Sequence, residues 1–115
     1  MKNAKKLNHI KGYITEVLAC LILRLKGYSI LKRNYKAQNT SQIDILVEKN
    51  NIIRLVEVKY RKRFNDCLEA ISWGQQKRIK FSAYNISKKY NKSVVIDGMF
   101  FSKEFPFYKH KKNIL

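Results

Sequence analysis

Asp44, Glu57 and Lys59 stand out in a stretch that is otherwise mostly apolar, Gln42-Ile-Asp-Ile-Leu-Val-Glu-Lys-Asn-Asn-Ile-Ile-Arg-Leu-Val-Glu-Val-Lys59. The stretch reads as two short strands joined at Asn50-Asn51. Asparagine tolerates positive φ, so a two-residue hairpin turn suits that pair. Lys49 then faces Ile52, Leu46 faces Leu55 and Asp44 faces Glu57. Side chains alternate with period two, so Asp44, Leu46, Leu55, Glu57 and Lys59 share one face. Directly opposed residues have Cβ atoms about 4.5–5.5 Å apart. Two carboxylates held that close repel each other unless a proton or a cation sits between them. Oxygen donors of this kind suit Mg²⁺ or Mn²⁺. Lys59 could then orient a water or stabilise negative charge developing on a phosphate. The plainer reading of the same residues is a cross-strand salt-bridge group on a solvated sheet face.

The elements that must position these residues can be read along the chain. Residues 9–26 carry Ile10, Ile14, Val17, Leu18, Leu21 and Leu25 at three- and four-residue spacing, which predicts an amphipathic helix stopped by Gly27. Residues 28–36 predict a first strand and residues 37–41 a polar turn. Residues 42–48 and 52–59 give the second and third strands. Tyr60 to Asp66 reads as a basic loop, and Cys67 to Trp73 as a helical turn that Gly74 interrupts. Gln75 to Tyr90 predicts a helix with Ile79, Ala83, Ile86 and Tyr90 on its apolar stripe. Ser93 to Phe101 is a fourth strand, and residues 102–115 a basic tail containing Pro106 and the cluster Lys109 to Lys112. Short turns make the first three strands an antiparallel meander, and the long helical connection permits a parallel crossover. The expected fold class is therefore α/β: one mixed sheet flanked by helices, in a single domain with its core at about residues 9–101.

Glu16 is a further candidate. Its helical neighbours Gly12, Ala19 and Cys20 are small, so a carboxylate there could approach the sheet closely. Read without other information it is an exposed glutamate on a helix edge. Arg61, Lys62 and Arg63 follow Lys59 directly and would ring the carboxylates with cations, as phosphate contacts do. Gln76, Lys77 and Arg78 at the start of the later helix join them as candidate nucleic-acid contacts. Tyr60, Phe64 and Trp73 could stack on unpaired bases, or simply belong to the core.

Composition narrows the partner. Among 115 residues, 25 are Lys or Arg and 8 are Asp or Glu, a formal net charge of +17. Self-repulsion of that size destabilises a compact chain, so it points to an anionic partner, nucleic acid before membrane. A generally basic proteome is the bland alternative. Hydrophobic residues make up 45%, enough for an ordinary core. Two cysteines, Cys20 and Cys67, supply neither a disulfide framework nor a zinc quartet, in keeping with a reducing compartment. The apolar run Val17–Leu23 follows His9, Lys11 and Glu16 and falls short of the roughly 20 residues of a membrane span. A cytoplasmic location is expected. His9 and His110 match no metal-ligand spacing, and the four glycines form no phosphate loop.

Several motifs in fixed order carry a resemblance. They are Gly12-x-x-x-Glu16-x-x-Ala19, Lys26-Gly-Tyr-x-Ile-Leu31 with Asn34, and Ile43-Asp-Ile45. Further on come Val56-Glu-Val-Lys59 with Arg61, Ala70-Ile-Ser72, and Gln76 with Arg78. Over roughly residues 10–100 the chain resembles the UPF0102 (YraN-like) family of small bacterial proteins. That resemblance implies the restriction-endonuclease-like, PD-(D/E)XK, superfamily and a fold similar to archaeal Holliday-junction resolvases. By it Glu16, Asp44, Glu57 and Lys59 match active-site positions. Glu16, Asp44 and Glu57 then become metal ligands and Lys59 the residue that assists water or the transition state. The family's usual Gly-Glu-Ile-Asp reads Ser41-Gln42-Ile43-Asp44 here. A common lysine is Gln75, and the usual Arg-Phe-Asp is Val95-Ile96-Asp97.

The expectation is a Mg²⁺- or Mn²⁺-dependent endonuclease acting on DNA in preference to RNA, on branched or damaged structures. A homodimer stays open. The rival class is a non-catalytic basic nucleic-acid-binding protein on a nuclease scaffold. A third reading is a basic subunit of a larger assembly.

Overall fold

The computed structural model describes residues 2–35 and 43–115, with side chains from residue 12 onward. The expected turn at 37–41 and the strand start at Gln42 lie outside the described residues, as do the side chains of His9 and Ile10.

The chain runs α1 (Lys2–Leu25), β1 (Ser29–Tyr35), β2 (Ile43–Lys49), β3 (Ile52–Tyr60), α2 (Phe64–Glu69), α3 (Trp73–Tyr90), β4 (Ser93–Phe101) and β5 (Tyr108–Lys111). The strands form one sheet in the order β1-β2-β3-β4-β5. β1, β2 and β3 are an antiparallel meander, and β3 pairs with β4 in parallel. The α/β class and its crossover are thus as expected.

Seven apolar residues of β2 and β3 (Ile43, Ile45, Leu46, Val47, Ile53, Leu55 and Val56) are fully buried, because helices cover both sheet faces. On one face Leu46, Ile53, Leu55, Ile96 and Phe100 pack with Cys67, Ile71, Ile79, Ala83 and Ile86 of the α2–α3 segment. On the other Ile45, Val47, Val56, Met99 and Phe101 pack with Ala19, Cys20 and Leu23 of α1. Both cysteines are free and buried.

Three local expectations are corrected. The α1 stripe of Ile14, Leu18, Leu21 and Leu25 faces outward, with Leu25 88% exposed. The helix is apolar almost all round between Val17 and Leu23, so periodicity offered two faces. The sheet takes the one with Ala19 and Cys20, whose small side chains allow close approach. The helical turn begins earlier, at Phe64, whose ring enters the core. α3 begins at Trp73 because Ser72 caps it, accepting from the Gln75 amide. Gly74 interrupts nothing there, since the first turn has no inward amide bonds to lose.

The basic tail also contributes a strand. β5 pairs antiparallel with β4, from Gly98–Lys111 to Phe101–Tyr108. Asp97 anchors it. This fully buried carboxylate accepts from Arg54 Nη1 at 3.1 Å, from the Asn113 amide at 3.0 Å, and lies 2.8 Å from His110 Nε2. No helix among the described residues is long and apolar enough to cross a membrane.

Candidate functional site

Asn50 and Asn51 both have positive φ, 53° and 66°, the signature of a two-residue type I′ turn. Lys49 therefore faces Ile52, Leu46 faces Leu55 and Ile45 faces Val56. The expected next pair, Asp44 with Glu57, is not part of the ladder. The backbone ladder stops at Ile45–Val56, and beyond it the Asp44 carboxylate takes the Val58 amide, Oδ2 accepting at 2.8 Å. The Asp44 and Glu57 side chains also hydrogen-bond to each other.

Glu57 is only 2% exposed. Burial, then the charge of Asp44, push its carboxyl up to about 8, while the Lys59 ammonium pulls the other way. The same burial raises Asp44, against the Val58 amide and Lys59. Glu57 Oε1 has no hydrogen-bond partner. In the parallel ladder Glu57 stands beside Gly98, and Lys59 beside Phe100. A Cβ on Gly98 would lie 2.6 Å from the Phe100 ring, so the missing side chain is what admits that ring next to Glu57. Gly98→Ala is expected to lower stability by about 1–3 kcal/mol through overpacking. A denaturant midpoint equal to that of the parent chain would show that the ring moves freely.

Glu16 approaches from α1, on the opposite side of the sheet from α3. Burial and then the charge of Asp44 raise its carboxyl, and Arg33 and Asn34 lower it. Arg33 Nη2 lies 3.9 Å from Glu16 Oε1, which has no hydrogen-bond partner. Asp44 is thus the neighbour common to Glu16 and Glu57. Gly12 does not clear the path of Glu16, because a Cβ there would meet nothing within 4 Å. Ala19, fully buried, is the residue that brings the helix close. Arg33 was not singled out in the sequence; an arginine on an edge strand carries no local mark of facing a helix carboxylate. Asn34 was part of the motif set, and its positive φ of 50° within β1 is the physical trace of that position.

The cationic candidates divide. Arg61, Lys62 and Arg63 are exposed just past Lys59. Lys77 and Arg78 are exposed on α3, whereas Gln76 is half-buried and donates from Nε2 to the Ile71 carbonyl at 3.1 Å. Gln76 therefore holds the start of α3 in place. Of the aromatic candidates, Phe64 is in the core, Tyr60 is half-buried, and Trp73 is 70% exposed.

Chemically, the Asp44–Glu57 pair with Glu16 offers only hard oxygen donors, two of them without a hydrogen bond, in a setting that penalises their negative charge. That is the donor set of a hard divalent cation. Among the described residues, no three His, Cys, Asp or Glu side chains converge closely enough to hold an ion as they stand.

The chain is thus a mixed α/β protein whose sheet carries the buried Glu57 beside the half-buried Asp44, with Lys59 two residues on. Comparison with known proteins gives the family. Residues 15–97 match the family described as "Uncharacterised protein family UPF0102", and the chain belongs to it. A UPF0102 protein of Clostridium perfringens is 32% identical over 116 residues, covering 96% of this chain and 94% of its own. One from Sinorhizobium medicae is 40% identical over 76 residues, 65% of this chain and 62% of its own. One from Chelativorans is 38% identical over 73 residues, 64% and 58% respectively. The match thus spans about three fifths of the length of those last two relatives.

Proposed function

We propose that this chain is a Mg²⁺- or Mn²⁺-dependent endonuclease that hydrolyses phosphodiester bonds of DNA, with branched or damaged DNA as its substrate. The observation that carries the reading is Glu57. It is a 2%-exposed carboxylate with an unpartnered oxygen, held against a second carboxylate and beside a lysine. Such an arrangement destabilises the empty protein and makes sense as a place where a cation offsets the negative charge. The order of carboxylates and lysine on adjacent strands supports placing the family in the restriction-endonuclease-like superfamily, near archaeal Holliday-junction resolvases.

Asp44 and Glu57 would hold the ion, with Glu16 reaching it from the Asp44 side. When bound, Mg²⁺ or Mn²⁺ lowers the pKa of water and polarises the phosphoryl oxygen. Lys59 presents an ammonium where negative charge builds up on the phosphate as the water attacks. Arg61, Lys62 and Arg63 contact flanking phosphates and hold the backbone across the end of β3.

The test is cleavage of supercoiled, nicked, four-way-junction and single-stranded DNA by the purified chain with Mn²⁺, and its loss on adding EDTA. Asp44→Ala, Glu57→Ala and Lys59→Ala should each slow cleavage by roughly 10²-fold or more while DNA binding persists. If all three cut at the parent rate, the activity belongs to another site or to a contaminant, and the assignment fails.

Binding itself should be strongly salt-dependent. On duplex DNA, log affinity falls with log salt by about 0.9 per neutralised phosphate. Replacing Arg61, Lys62 and Arg63 by alanine should flatten that slope by about 0.9 for each phosphate no longer neutralised. A slope unchanged in the triple variant would place the phosphate-binding cations elsewhere.

A non-catalytic nucleic-acid-binding protein is the second reading. It is favoured by the lack, among the described residues, of a converged three-donor cage and by the ion pair of Glu16 with Arg33. Binding without any Mn²⁺-stimulated cleavage across the whole substrate panel would select it.

A further inference from the structure

Five residues of α3 (Trp73, Lys77, Phe81, Tyr84 and Lys88) recur at spacings of four, four, three and four. At about 100° per residue they fall on one stripe of the helix. The stripe lies opposite the face that buries Ile79, Ser82, Ala83 and Ile86. All five are exposed, and the rings are exposed to an unusual degree: Trp73 70%, Phe81 53% and Tyr84 55%. Cations are interspersed among the rings. Lys77 Nζ lies 3.9 Å above the Trp73 ring, and Lys88 Nζ 4.6 Å above the Tyr84 ring. The helix carries Lys77, Arg78, Lys80, Lys88 and Lys89 and not one Asp or Glu.

We propose that this outer face of α3 is a binding track for single-stranded nucleic acid, on which unpaired bases stack against Trp73, Phe81 and Tyr84 while Lys77 and Lys88 neutralise phosphates. Three large rings on the solvent side of one helix have no role in the core. Aromatic faces accept any base, and interleaved cations follow the backbone, which is the combination that sequence-tolerant single-strand binding uses. From Trp73 to Lys88 the stripe runs about 22 Å at 1.5 Å per residue, room for several nucleotides. An acidic partner protein would answer to the charge but has no need of three exposed rings among the lysines. The track also has a direction. β3 and β4 are parallel, so α3 starts at the end of the sheet where Lys59 lies and leads away from it. A strand displaced from duplex at the carboxylate site would have this face to follow. Binding on α3 does not depend on whether that site cuts.

Trp73 is the only tryptophan in the chain, so its fluorescence reports on the stripe directly. Titrating the full chain with the oligonucleotide dT20 should quench that fluorescence saturably. Inorganic polyphosphate, which supplies phosphates without bases, should bind without comparable quenching. Phe81→Ala and Tyr84→Ala should each weaken dT20 binding by roughly 10-fold. Lys77→Ala and Lys88→Ala should each reduce the log–log salt slope by about 0.7. Melting temperatures equal to the parent's would exclude loss of fold. Glu57→Gln should leave the quenching intact, which separates this track from the proposed cleavage. Bound dT20 with unchanged Trp73 fluorescence, equal quenching by polyphosphate, or quenching by polyglutamate but not by dT20 would each overturn the proposal.

Discussion

Glu57→Gln is expected to make the metal-free protein more stable above pH 8, not less. The Glu57 carboxyl is raised from 4.5 to about 8 in the folded chain by burial and by the charge of Asp44. Between those values the folded state binds more protons at this site than the unfolded state. Stability therefore falls as pH rises from about 4.5 towards 8, and stays reduced above it. At about 1.4 kcal/mol per unit, the full effect approaches a ceiling of about 5 kcal/mol, which side-chain relaxation and water entry will reduce. The glutamine amide removes the charge and can donate to Asp44. Thermal melts in EDTA at pH 5 and pH 8.5 read this directly. The variant should gain several degrees over the parent chain at the higher pH and little at the lower. A variant that melts lower than the parent at pH 8.5 would mean that Glu57 is a satisfied structural carboxylate, and the reading of a strained cation site would go with it.

Asp97→Ala should have the opposite sign and a comparable size. Asp97 is fully buried, and its carboxyl is held below the usual range. Burial alone would raise it, but the hydrogen bonds from His110 and the Asn113 amide, with Arg54, outweigh that. Truncation leaves the Arg54 guanidinium, His110 and the Asn113 amide without their acceptor. Breaking a buried charge pair by removing one partner costs about 3–5 kcal/mol. For a chain of this length that corresponds to a fall in Tm of roughly 10–20 °C. His110 lies in β5 and Asn113 just after it, so amide exchange should rise first along residues 108–114. The contribution of Asp97 is present above pH 3.8 and lost as pH falls through its depressed value, so the parent chain's advantage should narrow in acid. A variant melting within a few degrees of the parent at pH 7 would show that Arg54 and β5 are held by other interactions.

Much of the architecture was legible because its signals are local. Asn50-Asn51 specifies a two-residue turn by backbone preference alone, and the turn sets the register from Lys49–Ile52 to Ile45–Val56, next to which Asp44 and Glu57 meet. The limits of β4 and the inward stripe of α3 followed from period and from the polar residues that flank them. The motif set identified the family without help from the fold. The pairing of residues far apart in sequence was another matter. A basic, proline-containing tail carries no sign that His110 will meet Asp97, because β5 is held by a buried charge network and not by an apolar pattern of its own. Arg33 beside Glu16, and the Phe100 ring lying over Gly98 beside Glu57, depend on which strands become neighbours. The choice between two apolar faces of α1 was decided by packing, since only the Ala19–Cys20 face lets the helix lie close to the sheet. The raised carboxyl of Glu57 belongs to the same group. Its residue type and position were plain in the sequence, but its strain arises from helices covering both sheet faces and shutting out water, which no short stretch of chain can encode.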